Sequence, residues 1–267
     1  MIYLNPEVRS GLGEDTFWTW FNREIPSSFE IPPQINDDDV ILQYATCGSS
    51  QVRGGKKVAL LWELYPEMKR FECGSSDGHI YRMTNCANDS DLRVVTSPLM
   101  AEYFFNVVVM PIGVDTDLFC VRDKQALREK YGIPQDKNVG FWSGTPHVMK
   151  GFDRLQNYAS LHPEIYWICV WKQDGGNLDG HRNFTLVSQQ QLSELMNCAD
   201  FALFTGRLRP YFMVEWEAMA CNIPVVDVSA REREFYPSQT PRDDVMRLGW
   251  SRHQAKQTWI NLCQSLI

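Results

Sequence analysis

The chain has 267 residues, 44% hydrophobic and 22% charged, so it encodes a folded globular protein of one large or two smaller domains and not a disordered one. Its net charge of -7 argues against a dominant, non-specific grip on nucleic acid but leaves room for a local basic groove. Eight cysteines stand singly with no CxxC pair, which points to buried thiols in a reducing cytosol rather than to a zinc ribbon or a disulfide framework.

Met1-Ile2-Tyr3-Leu4 reads as a first buried strand, with no signal peptide before it, and no apolar run is long enough to cross a bilayer; a cytoplasmic location is expected. The loop Asn5 to Gly13 ends Ser-Gly-Leu-Gly, and Glu14-Asp15 then open a helix over Thr16 to Arg23. Gly11 and Gly13 form either an ordinary tight turn or a loop that lets backbone approach a ligand. Pro26 to Asp39 reads as loop, Val40–Tyr44 as a second strand and Val58–Leu61 as a third. Glu63 falls just past the carboxyl end of that third strand, where ligands sit in open parallel sheets; a solvated loop acid is the plain alternative. Phe71 to Asp91 is polar and reads as irregular. Val94–Thr96 is a fourth strand, Ser97-Pro98 start a helix to about Phe105, and Val107–Met110 is a fifth strand.

The second half alternates more regularly. Lys124 to Tyr131 reads as a helix ended by Gly132, Asn138–Trp142 as a strand, and Lys150 leads a helix to about Ser160. Tyr166–Val170 and Phe184–Val187 are strands, and Gln189 to Cys198 is an amphipathic helix with Leu192, Leu195 and Met196 on one face. Asp200 to Val226 then runs strand, Gly-Arg-Pro loop, helix, strand, the unit that builds parallel sheets. Ligands bind such units at strand carboxyl ends, where helix N-termini offer free amides to anions. Arg207 and Arg209 in that loop point to a phosphate-bearing ligand, and Glu217, a turn into the helix, to sugar hydroxyls. A helix from Asp243, a break at Gly249 and a longer helix opened by Ser251 complete the chain.

Several segments, in order, resemble the glycosyltransferases of the GT-B fold, most closely glycosyltransferase family 4. Pro111-Ile112-Gly113-Val114-Asp115 to Phe119 resembles that family's interdomain PNGVDxxxF, and Leu127–Pro134 its LRxxLGIP. Ser143-Gly144-Thr145 to Lys150-Gly151 resembles its G-R-xxxx-K-G loop, and Asn197–Asp200 its xxAD. Glu217–Val226 resembles EAMACGxPVV, and Gly249-Trp250-Ser251 its terminal FSW segment. The likeness covers residues 94–267; before that it rests on element order and the glycine loop.

The resemblance implies an α/β chain of two Rossmann-like domains facing a cleft: residues 1–110 on the acceptor side, 111–245 for the nucleotide-sugar, and a C-terminal helix in 246–267 crossing back to the N-terminal domain. It implies a UDP- or GDP-linked sugar as donor substrate, no other cofactor, no metal requirement, and retention at the anomeric carbon. Lys150 matches the family's phosphate-binding lysine; the paired arginine falls on Thr145, beside Gly144. Glu217 matches the second acid of the family's acid pair, the one that holds the nucleotide ribose. The first acid falls on Arg209, a charge reversal that leaves three readings: Arg209 or Arg207 compensates for Thr145, the donor sugar is unusual, or activity is lost. The amides of Met213 and Val214 would meet phosphate, backbone near Val187 would line the base, and the Gly11–Gly13 loop would face the diphosphate. Lys150, Arg209 and Glu63 carry the expected catalytic roles, with His147 either touching donor sugar or solvated. A glycan or a hydroxymethylated base in phage-type DNA is the expected acceptor, the DNA face being Arg53, Lys56, Lys57, Lys69 and Arg70. No basic amphipathic helix marks a membrane surface. The alternative from another class is a catalytically silent nucleotide-sugar-binding protein; an NAD-dependent oxidoreductase lacks the full GxGxxG.

Overall fold

The computed structural model describes residues 1–5, 13–44, 52–62, 69, 77–96, 98–110, 112–174, 176–207, 213–228 and 241–266. Packing divides them into two units. The first comprises Met1–Gly113 and Arg252–Ile267, the second Val114–Leu208 and Phe212–Ser251. Each is a parallel sheet with helices on its faces, the Rossmann-like pair that the sequence implies.

The first sheet holds β1 (Ile2–Asn5), β2 (Val40–Tyr44), β3 (Lys56–Leu61), β4 (Leu92–Val95) and β5 (Val107–Val109), paired in that order. Side chains alternate across a strand. Val58, Leu60, Val94 and Val108 therefore point to one face, and Ala59, Leu61, Val95 and Val107 to the other. The first face is covered by α1 (Gly13–Glu24) and by the terminal helix α9 (Arg252–Ser265). Phe17, Trp18, Trp20 and Phe21 of α1 meet Trp62 and Trp259 in an aromatic cluster, with Phe17 edge-on to Trp62 at 4.7 Å and Phe21 edge-on to Trp259 at 5.8 Å. Ala255, Trp259 and Cys263, four apart, form the buried stripe of α9. The C-terminal helix thus belongs to the N-terminal unit, as expected. The close fit extends to Gly113: its φ is 91°, and a Cβ there would stand 2.9 Å from the Ala255 Cβ.

The opposite face carries α2 (Asp77–Asn88), within the stretch expected to be irregular. Its signal was faint because a narrow stripe, Ile80, Met83, Cys86 and Ala87, meets the sheet, while Tyr81, Arg82 and Thr84 stay outward. The helix started by Pro98, α3 (Pro98–Ala101), also ends sooner than Phe105, since Asn106 turns back at a left-handed φ of 53° to reach β5.

The second sheet has the order β10-β9-β6-β7-β8, with β6 (Asn138–Gly144), β7 (Ile165–Trp171), β8 (Arg182–Thr185), β9 (Phe201–Phe204) and β10 (Val225–Asp227). Strand order reverses between β6 and β9, which makes the carboxyl ends of these two strands the ligand-binding switch point of an open α/β sheet. Around it stand α4 (Lys124–Tyr131), α5 (Phe152–Leu161), α6 (Gln189–Asn197), α7 (Met213–Ala220) and α8 (Pro241–Arg247). Phe152, Leu155 and Tyr158 of α5 cover Trp142, Trp167 and Trp171 on one face, and α6 packs on α4 and α7.

Two of the family-like segments act as scaffold. Arg128, 4% exposed, donates to the Cys198 carbonyl at 2.8 Å and to Asp200 Oδ2 at 2.7 Å, and Asp200 also accepts from Lys124 and the Val139 amide. These bonds hold Asp200 below its usual carboxylate range against the opposing effect of burial. A buried arginine satisfied by carbonyls and one carboxylate ties α4 to the start of β9. Asn222 follows α7 where the family-like pattern has glycine, at a φ of 61° that asparagine tolerates. The Ile223 amide reaches back to the Ala218 carbonyl and the Asn222 amide to Met219, a left-handed helix stop.

Candidate functional site

The site is built on the loops leaving β6 and β9. After Gly144 the chain runs through Thr145 to His147, whose Nδ1 accepts from the Met149 amide at 3.2 Å and caps a single 3-10 turn, Val148–Lys150. His147 is therefore part of the frame of the loop. Gly144 lets the turn lie close: a Cβ there would come 2.9 Å from the Trp142 ring and 3.5 Å from the Lys150 Cβ. Gly151 ends the turn at φ 72°, ψ 36°, and a Cβ on it would fall on the Thr205 carbonyl oxygen. Only glycine fits there, for reasons of both dihedral and space.

The loop from β9 locks this turn. Thr205, 1% exposed, donates through Oγ1 to the Lys150 carbonyl at 2.7 Å and accepts the Trp142 indole N–H at 2.9 Å. The Arg207 amide donates to the Met149 carbonyl at 2.9 Å. Its guanidinium donates to the Val148 carbonyl at 2.5 Å and forks onto both oxygens of Asp153 at 2.6 Å each. Hydrogen bonding to Arg207 lowers the Asp153 pKa, and the same bonds raise that of Arg207. Backbone carbonyls of the turn are thus held from three directions, and the half-buried Lys150 is presented on a rigid support.

Sequence reasoning offered Arg207 as a cation for phosphate; in the structure its fork is occupied by Asp153. Thr205, Asp153 and Arg154, whose Nη1 donates to the Thr205 carbonyl at 3.3 Å, were not anticipated. Asp153 alone had a signal, as the acid of the first turn of α5.

Farther along β9's exit, α7 begins at Met213. Met213 and Val214 supply amides of the first turn, where a helix leaves N–H groups open to an anion. Glu217 lies one turn in and is 5% exposed. At the end of β8, Val187 is half-buried and follows Leu186, a 70% exposed residue at φ 52°. A bulky side chain in the left-handed region is uncommon, and such strain concentrates at binding loops. Ser188 then caps α6, its Oγ accepting from the Gln191 amide at 3.1 Å. Gly144, Thr145, Lys150, Val187, Arg207, Met213, Val214 and Glu217 therefore all belong to the second unit. Gly13 opens α1 in the first unit; Gly11, Glu63 and Arg209 lie outside the described residues.

The buried thiols of both units are inert groups. Burial raises Cys221 and Cys263 to about 12 and Cys198 to about 11. No helix among the described residues is long and apolar enough to cross a membrane.

No protein-family model matches the chain. Among curated proteins it is similar to D-inositol 3-phosphate glycosyltransferase of Mycobacteroides abscessus, 28% identical over 130 residues that make up 43% of this chain and 29% of that protein. The protein of the same name from Mycobacterium leprae is 25% identical over 43% of this chain and 30% of its own length. The match thus spans less than a third of these relatives. Among solved structures, sucrose-phosphate synthase from Thermosynechococcus elongatus superposes with a TM-score of 0.73 at 16% identity, over 85% of this chain and 73% of that one. HepE from Anabaena, solved in complex with UDP-glucose, gives 0.65 at 15% identity over 99% and 93%. The chain has the GT-B fold, with two Rossmann-like domains and glycosyltransferases as its structural neighbours.

Proposed function

We infer that this protein is a retaining glycosyltransferase that moves a sugar from a UDP- or GDP-linked donor to an acceptor hydroxyl. The observation that carries the reading is the joint location, at the β6/β9 reversal, of a braced Lys150 turn and an α7 start followed by buried Glu217. That pairing suits a ligand with a diphosphate at one end and sugar hydroxyls beside it. The curated relatives are named as glycosyltransferases, and HepE was solved with UDP-glucose, which supports a nucleotide-sugar as donor.

In the proposed mechanism the bond between the anomeric carbon and the phosphate oxygen breaks, and its electron pair leaves with the nucleoside diphosphate. Lys150 and the Met213 and Val214 amides stabilise the charge that grows on those oxygens. The acceptor oxygen bonds to the anomeric carbon on the face the diphosphate leaves, and its proton passes to a departing phosphate oxygen. Protein cations and helix amides meet the diphosphate charge in this scheme, so it calls for no metal. Glu217 accepts from the ribose hydroxyls, backbone at Val187 lines the base, and Glu63 orients the acceptor.

A glycan suits the acceptor role better than DNA, because part of the candidate basic face is already neutralised: Lys57 pairs with Asp89 at 2.8 Å and Lys69 with Asp77. A second reading, a silent nucleotide-sugar-binding protein, is favoured by one fact. Arg207 is engaged by Asp153, so the cation that would offset Thr145 falls to Arg209 alone.

The test is a thermal-shift screen of nucleotide-sugars followed by turnover of whichever one binds. A bound donor stabilises the folded form by about 2.7 kcal/mol at a hundredfold excess over Kd. Stabilisation with slow hydrolysis to nucleoside diphosphate supports the enzyme; stabilisation without any release supports the silent binder; no stabilisation by any nucleotide-sugar removes both. Loss of acceptor binding as salt rises would return DNA to consideration.

A further inference from the structure

The first sheet buries two polar side chains that its alternation does not predict, Gln43, whose Nε2 donates to the Ser90 hydroxyl at 2.9 Å, and Arg93. On the face covered by α2, where β3, β4 and β5 present Ala59, Leu61, Val95 and Val107, the remaining position of β4 is Arg93, paired in register with Ala59 and Val107. Arg93 is 8% exposed. Its guanidinium lies 4.9 Å from the centroid of the Phe105 ring, and no side chain or carbonyl among the described residues accepts a hydrogen bond from it. Arginine keeps its proton, and the Arg93 nitrogens reach solvent where they have no protein partner, so an anion entering beside them can replace that water.

Beside it opens a cavity of about 250 Å³ walled by Ile80, Met83, Ala87, Tyr103 and Phe104, with Phe105 over the guanidinium. Among the described residues no acidic side chain lines it. Of its other polar groups, the Thr84 hydroxyl is engaged by the Ile80 carbonyl at 2.9 Å, and Asn88 stands at the rim. Arg93 is near the start of β4, and Ala87 and Asn88 end α2. The cavity therefore lies at the amino end of the sheet, opposite the carboxyl ends where open α/β sheets bind their reactants.

We propose that this cavity is a binding site for a small amphipathic organic anion, a carboxylate on an aryl or short alkyl body. Both carboxylate oxygens meet the two-pronged guanidinium, and the body lies among Ile80, Met83 and Phe104. Phe105 holds the guanidinium from the other side through its ring face. The volume is below the roughly 300–1,000 Å³ typical of drug-sized ligands, which limits the body to about one ring and a short chain. This site is independent of the glycosyltransferase reading, and either can fail alone.

The test titrates the full chain with 3-phenylpropionate, 3-phenylpropanol and inorganic phosphate, followed by calorimetry and by NMR of the ligand. The acid is expected to bind, with the alcohol and phosphate each weaker by about tenfold or more, because the first lacks the charge and the second the body. Arg93→Met should weaken the acid by a similar factor without changing the thermal shift given by nucleotide-sugars. Arg93→Lys should retain part of the affinity, since the charge stays but the fork is lost. Should Arg93→Met not fold, the acid against the alcohol on the unaltered protein decides. No binding of the acid, an alcohol or phosphate that binds equally well, or an Arg93→Met protein that keeps full affinity would each overturn the proposal.

Discussion

Arg207 can serve this protein in one of two ways, and removing its partner tells them apart. As the brace of the Lys150 turn it needs Asp153; as a direct phosphate ligand it would be released by losing Asp153. The guanidinium makes one bond to the Val148 carbonyl at 2.5 Å and two to Asp153 at 2.6 Å. The Asp153 side chain is 53% exposed, so solvent reduces the ion pair to about 0.2–1 kcal/mol. The bond from a charged donor to Val148 adds about 1.5 kcal/mol, the low end for its kind. Arg207→Met is therefore expected to cost about 2 kcal/mol, or roughly 4–8 °C in Tm for a unit of this size. Loosening the turn forfeits part of the roughly 1.5–3 kcal/mol that a charge-assisted Lys150–phosphate bond is worth, so UDP or GDP should bind about fivefold to tenfold more weakly. Asp153→Ala should weaken the nucleotide by a similar factor, and the double variant should be no worse than Arg207→Met, because both remove one brace. Calorimetry of the four proteins with UDP and GDP at fixed salt reads this directly. If Asp153→Ala binds as well as or better than the unaltered protein while Arg207→Met collapses, Arg207 touches the diphosphate and the bracing argument is wrong.

Other expectations follow from the same geometry. Glu217→Gln keeps the volume of a 5% exposed side chain and removes its charge, so nucleotide-sugar affinity should drop by about tenfold or more with the fold intact; unchanged affinity in calorimetry would take Glu217 out of the site. Gly151→Ala sets a Cβ against the Thr205 carbonyl at a φ of 72°, which should cost more than about 2 kcal/mol in urea unfolding; a variant as stable as the parent would contradict the close approach. Trp259→Ala should cost about 3–5 kcal/mol, measured by denaturant, since this side chain is fully buried and joins the α9 stripe to α1. Glu194 is held down to about 2, first by Lys130, then by Tyr131 and Gln190. A depressed carboxylate adds stability above its ordinary range and loses it as pH falls through the folded value. Glu194→Gln should therefore destabilise most at neutral pH, with the gap closing as pH falls from the ordinary glutamate range toward 2; a gap independent of pH would exclude this linkage.

The alternation of strands and helices was legible in the sequence because each element carries its own period. Val40–Tyr44, Lys124–Tyr131 and Phe201–Phe204 stand where short-range patterns put them. The stop at Asn222 is legible for a similar reason, since an αL position accepts few residues. The helix Asp77–Asn88 escaped because packing on one stripe leaves most of its residues free to be polar. Membership of a segment in a family-like pattern also did not reveal its work: Arg128 and Asp200 lie in two such segments, and only their contact shows that they hold a helix to a strand.

The order of residues alone determined that this chain folds as two α/β lobes and where the Lys150 loop and the Glu217 helix fall. Local hydrophobic periodicity and a few turn-forming residues suffice for that. Only the tertiary structure decided what Arg207 faces, because its partners Val148 and Asp153 are more than fifty positions away and meet it through the β6–β9 pairing. It alone decided, too, that Arg93 occupies an apolar face. A charge's neighbours depend on which strands adjoin, and no local pattern encodes that adjacency.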